Sequence, residues 1–239
     1  MIIDILTLFP EMFEPLKTSL IGRATEKSAL KINLHNIRDF SKNKHKKCDD
    51  YPFGGGPGML MTPQPIFDAI ESIDGYEDAY KIYMSPKGNV FNQSVVPVLA
   101  SHEHIIILCG HYEGVDQRVL DEIVDMEVSL GDFVLTGGEI AAMAVIDAAA
   151  RLIPGVLANE GSYSNESHFN GLLEHPQYTR PYEWNGKMVP EVLISGHHAN
   201  IEKWKREQSL LNTAKKRPDM LKKAELTKED KKILQKLGI

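Results

Sequence analysis

The sequence predicts an α/β fold: a mostly parallel sheet with helices on both faces, followed by a smaller helical region. Three observations lead there. Short apolar runs alternate with helical patterns through the first 150 residues, as strands joined by helical crossovers do. Pro154 and Gly155 end the last long apolar helix, and a polar stretch from Asn159 to Asn170 follows. Beyond it the pattern changes to short turns and then helices, and the charge changes sign. Asn200 to Ile239 holds 12 Lys/Arg and 6 Asp/Glu, a local balance of +6, within a chain of 239 residues whose net charge is -6.

The elements follow in order. Ile2 to Phe9 reads as a strand, rich in Ile and Leu and stopped by Pro10. Thr18 to Ala29 reads as a helix, and Ile32 to Ile37 alternates apolar and polar like a half-buried strand. Pro63 to Ile73 places Ile66, Ala69, Ile70 and Ile73 on one helical face. Tyr80 to Met84, Ile105 to Cys109 and Met126 to Leu130 are further strands, with helices over Asp116 to Val124 and Glu139 to Leu152. In the last part, helices cover Ile201 to Lys216, Pro218 to Ala224 and Thr227 to Leu237. Thr227 followed by Asp230 has the form of a helix N-cap with an acid at the third position. The resulting division is a domain over 1–158, a linker over 159–170 and a helical domain over 171–239.

Composition excludes several classes. The apolar fraction of 42% and charged fraction of 25% are those of a globular protein. The start, MIIDILTLFP, lacks the basic segment of a secretion signal. The longest apolar stretch, Ile140 to Ile153, is interrupted by Asp147 and Arg151 and is too short to span a bilayer, so no membrane partner is expected. Two distant cysteines, Cys48 and Cys109, exclude a disulfide scaffold and point to a reducing, cytoplasmic compartment. His175, His197 and His198 have no obvious third ligand, so no metal site is assigned.

The candidate chemistry lies in loops. Asp49 to Met61 packs four glycines and two prolines into thirteen residues, after a run with four lysines between positions 42 and 47. It matches neither a P-loop nor a dinucleotide turn, so it reads either as a surface loop or as a binding loop. IYMSPKG (82–88), ILCGHYEGVD (107–116) and VSLGDFVLTGGE (128–139) each end a strand in a Gly- or Pro-containing turn. In a parallel sheet such turns lie at the strands' carboxyl ends, where ligands bind. Glu113 to Glu139 holds eight acids and one basic residue, Arg118, a balance suited to a cationic ligand. Trp204, among Lys203, Lys205 and Arg206, is either an RNA-stacking ring or a core anchor.

The strings YPFGGGPGMLM, YMSPKG, CGHYEGVDQR, SLGDFVLTGGE, RLIPGVL, GLLEHPQYTRP and SGHHANIEKWK occur in one order along nearly the whole chain. In this the sequence closely resembles the bacterial tRNA (guanine-37-N1)-methyltransferases, knotted SPOUT-type enzymes that use S-adenosylmethionine. The resemblance implies a deep trefoil knot formed by the three turns, an antiparallel homodimer with shared sites, and a C-terminal helical domain that grips tRNA. It implies adenosylmethionine contacts from Tyr83, Met84, Ser85 and Pro86, from Gly110, Tyr112 and Glu113, and from Leu130, Gly131, Asp132, Phe133, Val134 and Leu135, with Gly137 and Gly138 following. Mg²⁺ is a possible assistant by the same resemblance.

The same resemblance implies two catalytic residues. A carboxylate removes the N1 proton of guanine as general base, and an arginine stabilises the charge that develops on O6. The arginine of the RxIPGVL motif is Arg151, and the base aligns with Glu166. This sequence departs from the pattern here, with Glu in NESHF where the family more often has Asp in (E/D)DSF, and again at His197, where Asn is more usual. A relative that methylates ribose or another base is opposed by the GGGPGMLM and GLLEHPQYTRP motifs. A non-catalytic RNA-binding relative is left open by Glu166.

Overall fold

A computed structural model describes residues 1–157, 163 and 166–238. Two compact units result, Met1–Glu160 and Gly161–Ile239.

The first unit contains, in chain order, β1 (Ile2–Thr7), α1 (Ser19–Glu26), β2 (Lys31–Asn36), β3 (Asp49–Asp50), β4 (Leu60–Met61), α2 (Pro63–Glu71), β5 (Tyr80–Val90), α3 (Val96–Ala100), β6 (His104–Cys109), α4 (Gln117–Ile123), β7 (Met126–Ser129) and α5 (Glu139–Ala150). Five strands form one sheet in the order β2-β1-β6-β5-β7, and every pairing in it is parallel. The near-continuous apolar runs of β1 and β6 fit this place, because interior strands of a parallel sheet are covered on both faces. On one face Ile3, Ile5 and Ile107 pack with Ile21, Leu99 and Val145 from α1, α3 and α5. On the other, Leu6, Ile106 and Leu108 pack with Ile66, Ala69 and Val119 from α2 and α4. The predicted strands and helices thus form a helix–sheet–helix sandwich. The sequence did not indicate β3, β4 or α3, which are too short to carry a period.

Near the sheet's amino edge, buried Asp4 accepts from Asn33 at 2.9 Å and contacts the Nε2 atoms of His35 at 2.6 Å and His104 at 2.7 Å. Burial alone would raise its pKa; the hydrogen bonds from His35, Asn33 and His104 outweigh burial and hold the carboxyl below its ordinary value.

β5 runs longer than the expected Tyr80–Met84. Met84 and Asn89 both oppose Val128, so residues 85–88 bulge out of the ladder and the strand then resumes. Pro86 has no N–H to give to the ladder. At Gly88 a Cβ would lie 2.4 Å from the Glu127 carbonyl carbon, so only glycine lets the chain cross so close to β7.

The second unit contains the hairpin β8 (Glu183–Trp184) and β9 (Lys187–Met188), then α6 (His198–Lys216), α7 (Pro218–Leu221) and α8 (Lys228–Lys236). Leu172, Leu210, Ile233 and Leu234 form its small core. Residues 172–174 are tied to α6: Leu173 N–H donates to Thr213 Oγ1 at 2.9 Å, and Ser209 Oγ donates to the Leu173 carbonyl at 2.5 Å. The Thr227 cap is a full capping box, with Asp230 N–H bonded to Thr227 Oγ1 and Thr227 N–H to Asp230 Oδ2. The linker reading for 159–162 and 164–165 lies outside the described residues. Residues 166–171 form a turn in which Phe169 N–H donates to the Glu166 carbonyl and Gly171 N–H to that of His168.

Asp230 does two jobs. It also accepts both Nε and Nη2 of Arg206, each at 2.8 Å. Arg206 and, more weakly, the Thr227 bonds bring its pKa down to about 2, against the opposing pull of burial. A depressed carboxyl pKa stabilises above the ordinary value of 3.8 and loses that contribution as pH falls towards 2. With the Arg206 side chain 35% exposed, the contribution is about 1–2 kcal/mol after allowing for solvent screening. Asp230→Asn is expected to destabilise this unit by about 2–3 kcal/mol. Amide exchange of α6 and α8 in the full chain checks this: protection falls in the variant, and in the native chain it falls as pH drops below about 4.

Candidate active site

The three Gly/Pro turns line one cavity of about 420 Å³ in the first unit. Tyr83 to Lys87 come from the middle of β5 and its bulge, Gly110 to Val115 follow the end of β6, and Val128 to Leu130 with Phe133 to Gly138 come from β7 and the approach to α5. They are bonded to one another. Gly138 N–H donates to the Gly110 carbonyl at 2.9 Å, and His111 bridges to Gly137. Gly138 has an ordinary backbone conformation, φ -80°. It is glycine because a Cβ there would meet Cys109 Cα at 2.9 Å and the Gly110 nitrogen at 3.1 Å. Among the fifteen residues that the resemblance pointed to in these turns, thirteen line the cavity; Gly131 and Asp132 sit on the turn outside it. Leu60, Lys87, His111, Glu127 and Thr136 also line it. Lys87, His111 and Thr136 belong to the same turns, whereas Leu60 and Glu127 reach the cavity through loop and strand pairing that is distant in sequence.

The acidity of 113–139 divides into separate roles. Only Glu113 and Glu127 line the cavity. Asp116 caps α4 and forks onto Arg118. Asp125 accepts from the Lys81 N–H. Glu139, buried in the first turn of α5, accepts from Thr7 Oγ1 at 2.8 Å. A carboxylate at that position also complements the helix dipole. The Tyr83 phenol is pushed up to about 12 by burial, with Glu127 and Cys109 adding to it, so it stays a neutral donor. Burial, helped by Glu139, raises the Cys109 thiol well above its ordinary value.

The glycine loop is joined to this site. β3 and β4 pair antiparallel, and Glu113 N–H donates to the Met59 carbonyl while Met61 N–H donates to that of Gly114. Its tip is open: Phe53 is 99% exposed, and Gly54, Gly55, Gly56 and Gly58 all have positive φ. Of the four lysines before it, Lys42, Lys46 and Lys47 pair with Asp68, Asp39 and Asp50 at the surface, so much of that run is a charge-paired face.

Arg151 follows α5 directly and is half-buried. Glu166 is half-buried in the second unit, its N–H bonded to the Tyr163 carbonyl. Among the described residues, no three His, Cys, Asp or Glu side chains gather as a metal-binding group. Among them, too, no helix is long and apolar enough to cross a membrane.

A family model described as tRNA (Guanine-1)-methyltransferase TrmD matches residues 1–223. The chain belongs to this family. Relatives within the TrmD family are close. A protein of Ruminiclostridium cellulolyticum named tRNA (guanine-N(1)-)-methyltransferase is 60% identical over 223 residues, 92% of this chain and 96% of that protein. Proteins of the same name from Clostridium perfringens and Clostridium botulinum are each 57% identical over 233 residues, covering 98% of this chain and 98% and 97% of those proteins. Membership in the TrmD family places the α/β fold among SPOUT methyltransferases.

Proposed function

We propose that this chain transfers the methyl group of S-adenosylmethionine to N1 of the guanosine at position 37 of tRNA, beside the anticodon. The observation that carries the reading is the convergence of three turns on one cavity in a chain of the TrmD family. A volume of about 420 Å³ lies within the usual small-molecule range of roughly 300–1,000 Å³. The glycine approaches leave backbone groups bare, and two carboxylates suit a cationic donor. These features fit S-adenosylmethionine, held by Tyr83, Met84, Ser85 and Pro86, by Gly110, Tyr112 and Glu113, and by the 130–138 turn. When bound, it supplies an electrophilic methyl group on a sulfonium.

The chain's own residues prepare the guanine. Glu166 takes the N1 proton as general base, which converts a poor nucleophile into a good one. Arg151 places its guanidinium against the oxygen at C6, where negative charge develops. Holding both reactants in line contributes much of the rate. Mg²⁺, implied by the resemblance alone, is given no step here.

The wider reading is a methyltransferase domain over 1–158, a linker over 159–170 and a tRNA-binding helical domain over 171–239. A β6 lying between β1 and β5, together with the crossing of residues 85–88 over β7, supports a deep trefoil knot. The exposed apolar side chains of Phe133, Val134 and Ile140 support an antiparallel homodimer. Cys48 and Cys109, both free, suit the cytoplasm.

Incubation with labelled adenosylmethionine and unmodified tRNA carrying guanine at 36 and 37 tests the reading. Label on a guanine base is expected. Label on ribose would assign another SPOUT reaction, and bound but unlabelled tRNA would make the chain a binding relative.

A further inference from the structure

The two tryptophans have opposite surroundings. Trp204 on α6 is half-buried, with the rings of His175 and Tyr178 6.2 and 6.3 Å away, and so serves as an anchor for its helix. Trp184 is 68% exposed at the tip of the β8–β9 hairpin, and among the described residues no ring packs on it.

We propose that one face of this hairpin is a stacking platform for an unpaired nucleobase of the RNA substrate, with Trp184 and Tyr182 beneath the base and Lys187 at the adjoining phosphate. The occupant rests on the reading of the substrate as tRNA; the platform itself comes from the hairpin's geometry. Trp184 lies directly opposite Lys187, and Glu183 opposite Met188. Side chains two apart along a strand share a face. Tyr182, whose carbonyl accepts from Val189 N–H at 3.0 Å, therefore joins Trp184 and Lys187, while Glu183 is on the other side. The face thus carries two rings and a cation and no acid. Its turn residues, Asn185 and Gly186, are both left-handed, at φ 52° and 71°. Such a turn fixes the twist and register of a two-residue hairpin, so the backbone that carries the two rings on one face is set before a ligand arrives.

Charge selects the occupant. Arg180, exposed, lies just ahead of the hairpin, and residues 161–239 carry 14 Lys/Arg against 10 Asp/Glu. Bases stack on aromatic rings whatever their sequence, and a lysine beside the ring neutralises the phosphate. An apolar protein surface would cover Lys187 without a partner. RNA offers both a flat ring and an anion.

The experiment uses the full chain with unmodified tRNA. Trp184→Ala is expected to raise the Kd and KM for tRNA by about five- to hundredfold, with kcat at saturating tRNA and the Kd for adenosylmethionine unchanged. Trp184→Phe retains most of the affinity. Lys187→Gln weakens binding and reduces the salt slope by about one phosphate. An exposed hairpin position leaves the melting temperature within a degree or two, which separates stacking from misfolding. A tRNA Kd within twofold of the parent's in Trp184→Ala would overturn the platform. So would loss of a dimer in sedimentation, which would give the face to a second copy of the chain. Methyl transfer with an unchanged Kd removes the platform and keeps the enzyme. Trp184-dependent tRNA binding without methyl transfer keeps the platform and removes the enzymatic reading.

Discussion

Glu166→Gln is expected to abolish methyl transfer to tRNA and to leave adenosylmethionine binding intact. The amide preserves the shape of the side chain and its place in the 166–171 turn, but it cannot take the N1 proton. A positioned general base contributes about 10²–10⁴-fold, so the variant falls by at least that factor in single-turnover transfer. Glu166→Asp is the informative companion. It keeps the carboxylate and removes one methylene, restoring the residue more usual in the family, and it therefore retains measurable turnover. Calorimetry with adenosylmethionine shows the split, because the proposed donor site lies in the first unit and Glu166 in the second. Undiminished transfer by Glu166→Gln would remove the base assignment and turn attention to Glu174 and Asp50.

Gly138→Ala is expected to close the proposed donor site. The added methyl meets the backbone of Cys109 and Gly110, and backbone cannot rotate aside. The φ of -80° suits alanine, so the whole effect is steric. Overpacking costs about 1–3 kcal/mol, and the turn that yields carries Gly110, Tyr112 and Glu113 into the cavity. Affinity for adenosylmethionine is expected to fall by about ten- to hundredfold on that basis. Gly110→Ala is milder, because its methyl meets the tip of the Tyr83 ring, 2.8 Å away at the hydroxyl, and a side chain has somewhere to go. Equal affinity in Gly138→Ala and the parent would mean that the donor binds elsewhere.

Much of this fold was legible because parallel sheets announce themselves. The runs at Ile2 and Ile105 are apolar on both faces, and the helices between strands keep one apolar stripe. The Thr227–Asp230 cap was readable because it is local. The bulge at 85–88 was not, since its cause is a close crossing of β7, distant in sequence. Electrostatics was legible only as a sum. The eight acids of 113–139 looked like one acidic pocket, yet Asp116 caps a helix and pairs with Arg118, Asp125 bonds to backbone, Glu139 bonds to Thr7, and only two line the cavity. The basic surplus after Asn200 is likewise partly used internally, by Arg206 with Asp230, Arg217 with Asp219 and Lys205 with Glu202. The hairpin had a signal in Asn185-Gly186, the strongest two-residue turn pair, but nothing in the sequence distinguished its exposed tryptophan from the anchored one. Nor do composition and spacing reveal what Glu166 does; that rests on its place in the family's motif.

The expected product carries one new methyl group, on N1 of a single guanosine. N1 lies on the edge that pairs with an incoming nucleotide, so its methylation arrests reverse transcription. Primer extension on tRNA treated with the protein and adenosylmethionine is expected to stop immediately before position 37, and a transcript with adenosine at 37 is expected to read through. Methylated tRNA without that stop, or the same stop on the adenosine transcript, would mean that the methyl group goes elsewhere than N1 of guanosine 37.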